Sequence, residues 1–277
     1  MSANSEIAWT DATWNPFRGC TRVSPGCQNC YAERMAARGL PGLNSPTTGE
    51  QFAIMTPSGP RWTDVISLIE KQLEVPLRWR KPRRIFVNSM SDTFHESVPT
   101  QWIEDIYAVM NLAARHTYLV LTKRSTRVLT HFVGRVNPKH VHLGVSAEDQ
   151  PRFDARIDDL RLTLAAIRWL SLEPLLGPIN LAGRLAGIHW VVVGGESGPG
   201  ARPCRVEWVR DIVRQCREAG VACFVKQLGR VAVGDPAEFP TAVHDDGDGH
   251  RTFRLIDHKG GDLAEWPKDL RVREYPR

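Results

Sequence analysis

The sequence predicts an α/β fold, a partial (β/α) barrel of six to seven parallel strands. Short continuous apolar runs alternate with helical stretches through most of the chain. Strands of a parallel sheet buried on both faces read this way. Six or seven such runs exceed a small open sheet, and a small polar cluster closes nearly every one of them. Residues at the C-terminal rim of a barrel follow that pattern.

The elements follow in order. A first strand is expected near Thr13–Phe17, leading into a cysteine loop. Residues 40–65, rich in Gly, Pro, Ser and Thr, read as an irregular insertion, and a short helix is expected over Val65–Lys71. RIFVNSM is the second strand, closing on Ser91 and Asp92. Pro99 opens an amphipathic helix with Ile103, Ile106, Val109 and Met110 on one side. Thr117–Leu121 is the third strand, ending at Lys123, with Ser125 placed to cap the next helix. His140–Val145 ends at Ser146 and Glu148, with a helix over Phe153–Ala166. Ile167–Leu172 ends at Glu173, and Ile188–Val193 at Gly194, Gly195 and Glu196. A helix over Glu207–Ala219 precedes the last strand, Ala222–Lys226. The partial barrel is therefore expected over residues 1–230, with a C-terminal extension over 231–277 packed on the same domain. Within it, Asp245–Gly249 (DDGDG) reads as an exposed turn rather than a calcium loop, because it lacks the spaced ligands and closing Glu.

The chain has 277 residues, 42% hydrophobic and 24% charged, the balance of a soluble globular protein. No apolar run reaches membrane-spanning length, and MSANSEIAWTD lacks the basic-then-apolar pattern of a signal peptide. A cytoplasmic location with no membrane partner is expected, where thiols stay reduced and clustered cysteines bind metal more often than they pair. The formal charge of +5 suits an anionic partner. Oligomeric state is not legible.

Cys20, Cys27 and Cys30 lie within eleven residues in a C-x6-C-x2-C spacing, while Cys204, Cys216 and Cys223 are dispersed and read as core residues. Ser24-Pro25-Gly26 favours a turn that folds the three thiols to one side, and a helix starts directly after Cys30. Three readings stay open. A structural zinc site wants four closed ligands, and no second pair follows. Disulfide bonding or plain burial would leave an odd thiol. A [4Fe–4S] cluster held by three thiolates would keep one iron open for a small molecule. The competing functional class is a metal- or nucleotide-binding protein without turnover, and a third possibility is a degenerate barrel that has lost its cluster.

The stretches WNPFRGCTRVSPGCQNCYAERMA, RIFVNSMSDTFHESVP, LVLTKRS, LGVSAEDQ, LSLEPLLGPI, VVVGGESGPGARP and FVKQLG run in order from about residue 9 to 230. Together they resemble an uncharacterised phage-associated radical-SAM-like family, the neighbour of "three-Cys-motif partner" proteins. More distantly the chain is similar to the spore photoproduct lyase-like branch of radical S-adenosylmethionine enzymes. The resemblance implies a [4Fe–4S] cluster on Cys20, Cys27 and Cys30 whose open iron is chelated by S-adenosylmethionine. It implies cofactor contacts from Asn88, Ser89, Ser91 and Asp92 near the methionyl amine. Lys123, Ser146 and Glu148 would lie near the carboxylate and ribose, and the stretch holding Glu173 would support the adenine. It further implies reductive cleavage of the cofactor, radical chemistry on a substrate and a low-potential electron donor as partner. Two departures stand out: the first gap holds six residues instead of three, and Asn29 replaces the aromatic before the third cysteine. The GGE at Gly194–Glu196 follows the sixth strand and reads as a close backbone approach to ligand or substrate. His95 reads as a hydrogen-bonded loop histidine.

A nucleic-acid substrate is the last expectation. It rests on Arg78, Arg80, Lys81, Arg83 and Arg84 with Trp79 among them, and on Lys123, Arg124 and Arg127. The likeness to a DNA-repair branch adds to it. Cations interleaved with aromatics suit a phosphate backbone and stacked bases.

Overall fold

In a computed structural model, residues 5–40, 42–239, 243–244 and 252–276 are described. The DDGDG stretch lies outside them. The elements are β1 (Ala12–Trp14), α1 (Tyr31–Ala36), α2 (Glu70–Leu73), α3 (Val75–Arg78), β2 (Arg84–Val87), α4 (Thr100–Leu112), β3 (Thr117–Thr122), α5 (Ser125–His131), β4 (Val141–Ser146), α6 (Gln150–Leu162), β5 (Arg168–Leu172), β6 (Trp190–Gly194), α7 (Val206–Glu218) and β7 (Ala222–Gln227). The seven strands form one all-parallel sheet in sequence order, the topology of a partial (β/α) barrel. Every apolar run that the sequence marks as a strand is one.

The chain divides into two compact units, residues 1–145 with 162–166, and residues 146–161 with 167–277. No division falls at residue 230, and the C-terminal residues belong with the second unit.

In the first unit the period-2 register sorts side chains onto two faces. Ala12, Ile85, Tyr118 and Val141 align across the strands, as do Trp14, Val87, Val120 and Leu143, and all eight are fully buried. This face meets the helices: Trp14 Nε1 donates to Gln72 O of α2 at 2.7 Å, and Ile103, Ile106 and Met110 of α4 are buried. The other face carries Thr13, Phe86, Leu121 and His142, all half-buried. Residues 40–65 are more regular than expected, with a hairpin of Ala53–Thr56 and Gly59–Trp62. The helix expected over Val65–Lys71 is instead a short strand, Ser67–Leu68, followed by α2. Ser125 is the first residue of α5, and Arg124 holds the capping position.

In the second unit Trp169 and Trp190 stack across β5 and β6 with centroids 5.3 Å apart. The C-terminal tail runs antiparallel along β7: Val225 N donates to Val272 O, and Glu274 N to Cys223 O. Arg273 lies 5.4 Å from the Phe224 ring centroid and 5.9 Å from that of Trp266. Residues 231–239 and 252–276 thus belong to this unit. Cys204, Cys216 and Cys223 are buried, as core residues should be.

Truncating Ile106 to Ala should cost about 2–5 kcal/mol in urea unfolding, because the methylenes leave a cavity in a closed core. The same change at Leu112, 73% exposed on the same helix, should cost under about 0.5 kcal/mol. Equal costs at the two positions would contradict the burial described.

Candidate functional site: the three-cysteine loop

The first unit holds the cysteine loop at the C-terminal end of β1. Phe17–Arg18 pairs with Ser67–Leu68, and the chain then turns through Gly19 at φ +90°. A Cβ there would stand 1.9 Å from Val65 O, so only glycine fits. Cys20, Thr21 and Arg22 follow. Ser24–Cys27 closes a tight turn with Cys27 N donating to Ser24 O at 2.9 Å, and Cys30 immediately precedes α1. Arg22 crosses the loop to Glu33 with a bidentate ion pair whose shortest contact is 2.5 Å; the Glu33 side chain is 1% exposed. Glu33 also accepts from Trp62 N at 2.9 Å, tying α1 to the hairpin.

The turn after β2 fastens this loop. Asn88, at φ +56°, donates its N–H to Trp14 O at 2.7 Å, and its Oδ1 accepts from Phe17 N at 3.2 Å. Ser89 Oγ donates to Asn15 Oδ1, and Ser91 Oγ to Phe17 O. The Tyr31 hydroxyl donates to Ser89 O at 2.6 Å. Asn88, Ser89 and Ser91 therefore stand beside the cysteine loop, with their side chains engaged in holding it.

Asp92 is the centre of this web. Its Oδ1 accepts from Phe94 N at 2.9 Å and Thr122 Oγ1 at 2.6 Å. Its Oδ2 accepts from Lys123 N at 3.1 Å and Arg124 Nη1 at 3.0 Å. A carboxylate has about four acceptor positions, and here the chain's own donors engage all four.

Arg124, which the sequence suggested as a phosphate contact, is instead buried, its side chain 4% exposed. Its guanidinium reaches Asp92, Glu96 Oε2 at 2.7 Å, and Thr21 O and Oγ1 at 3.3 and 2.9 Å, with Nη1 3.9 Å from Cys20 Sγ. Burial opposes its charge, but Asp92, Cys20 and Glu96 outweigh burial and raise its pKa. The one available signal was its place beside Lys123 at a strand end. Sequence alone does not say which of two adjacent cations turns inward.

Burial, followed by the charge of Asp92, pushes the Cys20 thiol up to about 12; Arg124 pulls the other way. Burial also raises Cys30, against backbone N–H donors from Glu33 and Ala32 and the positive charge of Lys123. Cys27 acts on both, so the three thiols lie within electrostatic reach of one another. All three are free. Among the described residues no three His, Cys, Asp or Glu side chains converge closely enough to hold a single metal ion. The Lys123 ammonium, half-buried, has no hydrogen-bond partner among the described residues. His95 Nδ1 accepts from Ser97 N at 3.1 Å, which assigns the ring proton to Nε2, 2.8 Å from Thr21 Oγ1. Burial, then Arg124, lowers its pKa and keeps it neutral. It is the hydrogen-bonded loop histidine that was expected.

The second unit holds Ser146, Glu148 and Glu173. Ser146 O and the fully buried Glu148 carboxylate both bind Arg156 Nη1, at 2.7 and 3.2 Å. Glu173 Oε1 meets Lys226 Nζ at 2.5 Å; Glu173 directly follows β5 and Lys226 lies in β7, the strands on either side of β6, where Gly194 presents no side chain. The close approach at the GGE is to the chain itself. A Cβ on Gly195 would stand 2.2 Å from Leu228 O, and Glu196 pairs with Arg202 at 2.6 Å.

Fold and site together define an α/β protein of the partial-barrel type with three free thiols on a locked loop at one strand end. Residues 4–258 match the model of DUF5131, a family described as a protein of unknown function, and the chain belongs to that family. No curated protein and no solved structure matches it. No helix among the described residues is long and apolar enough to cross a membrane.

Replacing Asp92 with Ala strands a buried guanidinium and should cost about 3–5 kcal/mol in denaturant unfolding. A cost under about 1 kcal/mol would show that the web does not depend on this carboxylate.

Proposed function

We propose that the protein is a radical S-adenosylmethionine enzyme whose Cys20, Cys27 and Cys30 hold a [4Fe–4S] cluster. The observation that carries this reading is a loop of three free thiols within electrostatic reach of one another, fixed in place by Gly19, Arg22–Glu33 and Arg124. A tetrahedral zinc site needs its sulfurs roughly 3.8 Å apart, as Zn–S bonds of about 2.3 Å require. A cluster binds three sulfurs through three different irons and lets them stand farther apart. The donor set therefore fits a cluster better than a single ion. When bound, that cluster supplies the electron for reductive cleavage of S-adenosylmethionine and so starts radical chemistry on a substrate, with a low-potential donor as partner.

The chain's own residues have separate tasks. Arg124 orients Cys20 and Thr21 from behind. Lys123, with its ammonium unengaged and its charge felt at Cys30, is the residue suited to a cofactor carboxylate. Asn88, Ser89, Ser91 and Asp92 act as fasteners of the loop. A second reading is a cluster-binding protein without turnover. The engagement of Asp92 and Glu148 with the chain's own cations favours it.

Protein purified without oxygen should be brown, carry about four irons and four sulfides per chain, and bleach in air. Cys27→Ala should remove iron and sulfide together. A Cys27→Ala protein that retained its full complement would overturn the cluster assignment.

Lys123→Ala should weaken S-adenosylmethionine binding about tenfold by calorimetry, the loss of one charge-assisted contact. Unchanged affinity in the variant, with tight binding in the parent, would remove Lys123 from the site. No binding to either loaded protein would favour the second reading.

A further inference from the structure

The basic run Arg78–Arg84 does not approach the cysteine loop. It enters β2 at its N-terminal end, whereas the loop and its fasteners stand at the C-terminal ends of β1 and β2 in the same unit. Four strand residues, roughly 13 Å, separate the two edges.

The N-terminal edge has its own construction. β2, β3 and β4 are neighbours, and each is preceded by cations: Lys81 and Arg83 before β2, Arg115 before β3, and Lys139 before β4. With strands about 4.8 Å apart, these form a row some 10 Å long. Arg115 donates to the carbonyls of Trp79, Pro76 and Leu77 at 2.8, 3.2 and 2.8 Å, and His116 Nε2 lies 3.1 Å from Pro76 O. The segment bearing Arg78, Arg80 and Lys81 is thereby pinned beside the row. Arg83 lies 5.3 Å from the Trp79 ring centroid, and His116 meets the same ring edge-on. Trp79 thus anchors the segment.

The cations gather at this edge. Arg22, Arg124 and Arg135 of the first unit each face a carboxylate, as does Arg84 at the edge itself, while Arg18, Arg61 and Arg127 bind backbone carbonyls one by one. Arg78, Arg80, Lys81 and Lys139 are exposed and face none among the described residues; Arg115 is exposed and binds carbonyls only. Asp11 is engaged by Arg84, and residues 70–84 hold two carboxylates, Glu70 and Glu74, against six cations. The net charge is strongly positive, and the guanidinium groups that dominate it fit phosphate diesters.

We infer that this N-terminal edge is a docking surface for a nucleic-acid backbone, separate from the cysteine loop and independent of what the loop binds. With Trp79 engaged by Arg83 and His116, recognition rests on charge, so it reads phosphates rather than sequence. Any chemistry on a bound strand would act at a distance from the docking contacts. Exposed Leu112, Val133 and Val136 flank the edge, and they make an anionic lipid surface the alternative to test.

The test uses the full-length protein and fluorescein-labelled 30-mers of single- and double-stranded DNA and RNA, with anisotropy read at 25–300 mM salt. Binding should be independent of sequence, and log affinity should fall with log salt at a slope of about −0.7 to −0.9 per phosphate engaged. Arg78→Glu/Arg80→Glu/Lys81→Glu should lose at least about a hundredfold at low salt and flatten the slope by two to three. Its melting temperature should hold, since these side chains have no partners among the described residues. Arg217→Glu, exposed on α7, should bind as the parent does. The inference is overturned by the absence of binding to every oligonucleotide at 25 mM salt, by unchanged affinity in the triple variant, or by capture on phosphatidylglycerol vesicles with no oligonucleotide binding.

Discussion

The buried pair of Asp92 and Arg124 is the constraint on which the first unit's site depends. Removing both charges from water costs several kcal/mol per ion, and only close, fully hydrogen-bonded geometry offsets that. The geometry exists because β2 and β3 are adjacent and parallel, with Val87 opposite Val120. That register brings the turn after one strand against the turn after the next. Asp92 then gathers Thr122, Lys123 and Arg124, and Arg124 extends the same web to Thr21 and Cys20. A slip of one residue would turn these groups to the other face.

The cysteine loop is consequently rigid before anything binds to it. Gly19 has no room for a side chain, Arg22 and Glu33 brace the loop from within, and Asn88, Ser89 and Ser91 fasten its start. A preformed loop spares a ligand the entropy of ordering it. The raised pKa of Cys20 shows the other side of this arrangement: desolvation and the charge of Asp92 disfavour its thiolate, and Arg124 opposes them.

The fold was legible because each parallel strand is a short apolar run, and such runs announce themselves without knowledge of their neighbours. The cysteine loop was legible for a similar reason: its spacing is local. What the sequence could not supply was the direction of each polar side chain at a strand end. Asp92 and Glu148 looked like ligands for a cofactor, yet each is matched to an arginine of its own unit, thirty-two and eight residues away. Lys123 and Arg124 are neighbours in sequence, yet Arg124 is buried against Asp92 while Lys123 is half-buried with its charge felt at Cys30. The basic run before β2 read as an approach to the site because sequence order does not say which end of a strand a connector reaches. The glycines of the GGE were correctly marked as a close approach, but the approaching group is the chain's own Leu228 carbonyl.

Electron paramagnetic resonance on the anaerobically reconstituted, dithionite-reduced protein tests the central claim most directly. A cluster with one iron open to solvent should give an S = 1/2 signal that changes shape when S-adenosylmethionine is added. A signal indifferent to S-adenosylmethionine at saturating concentration, or no cluster signal from protein carrying stoichiometric iron and sulfide, would contradict it.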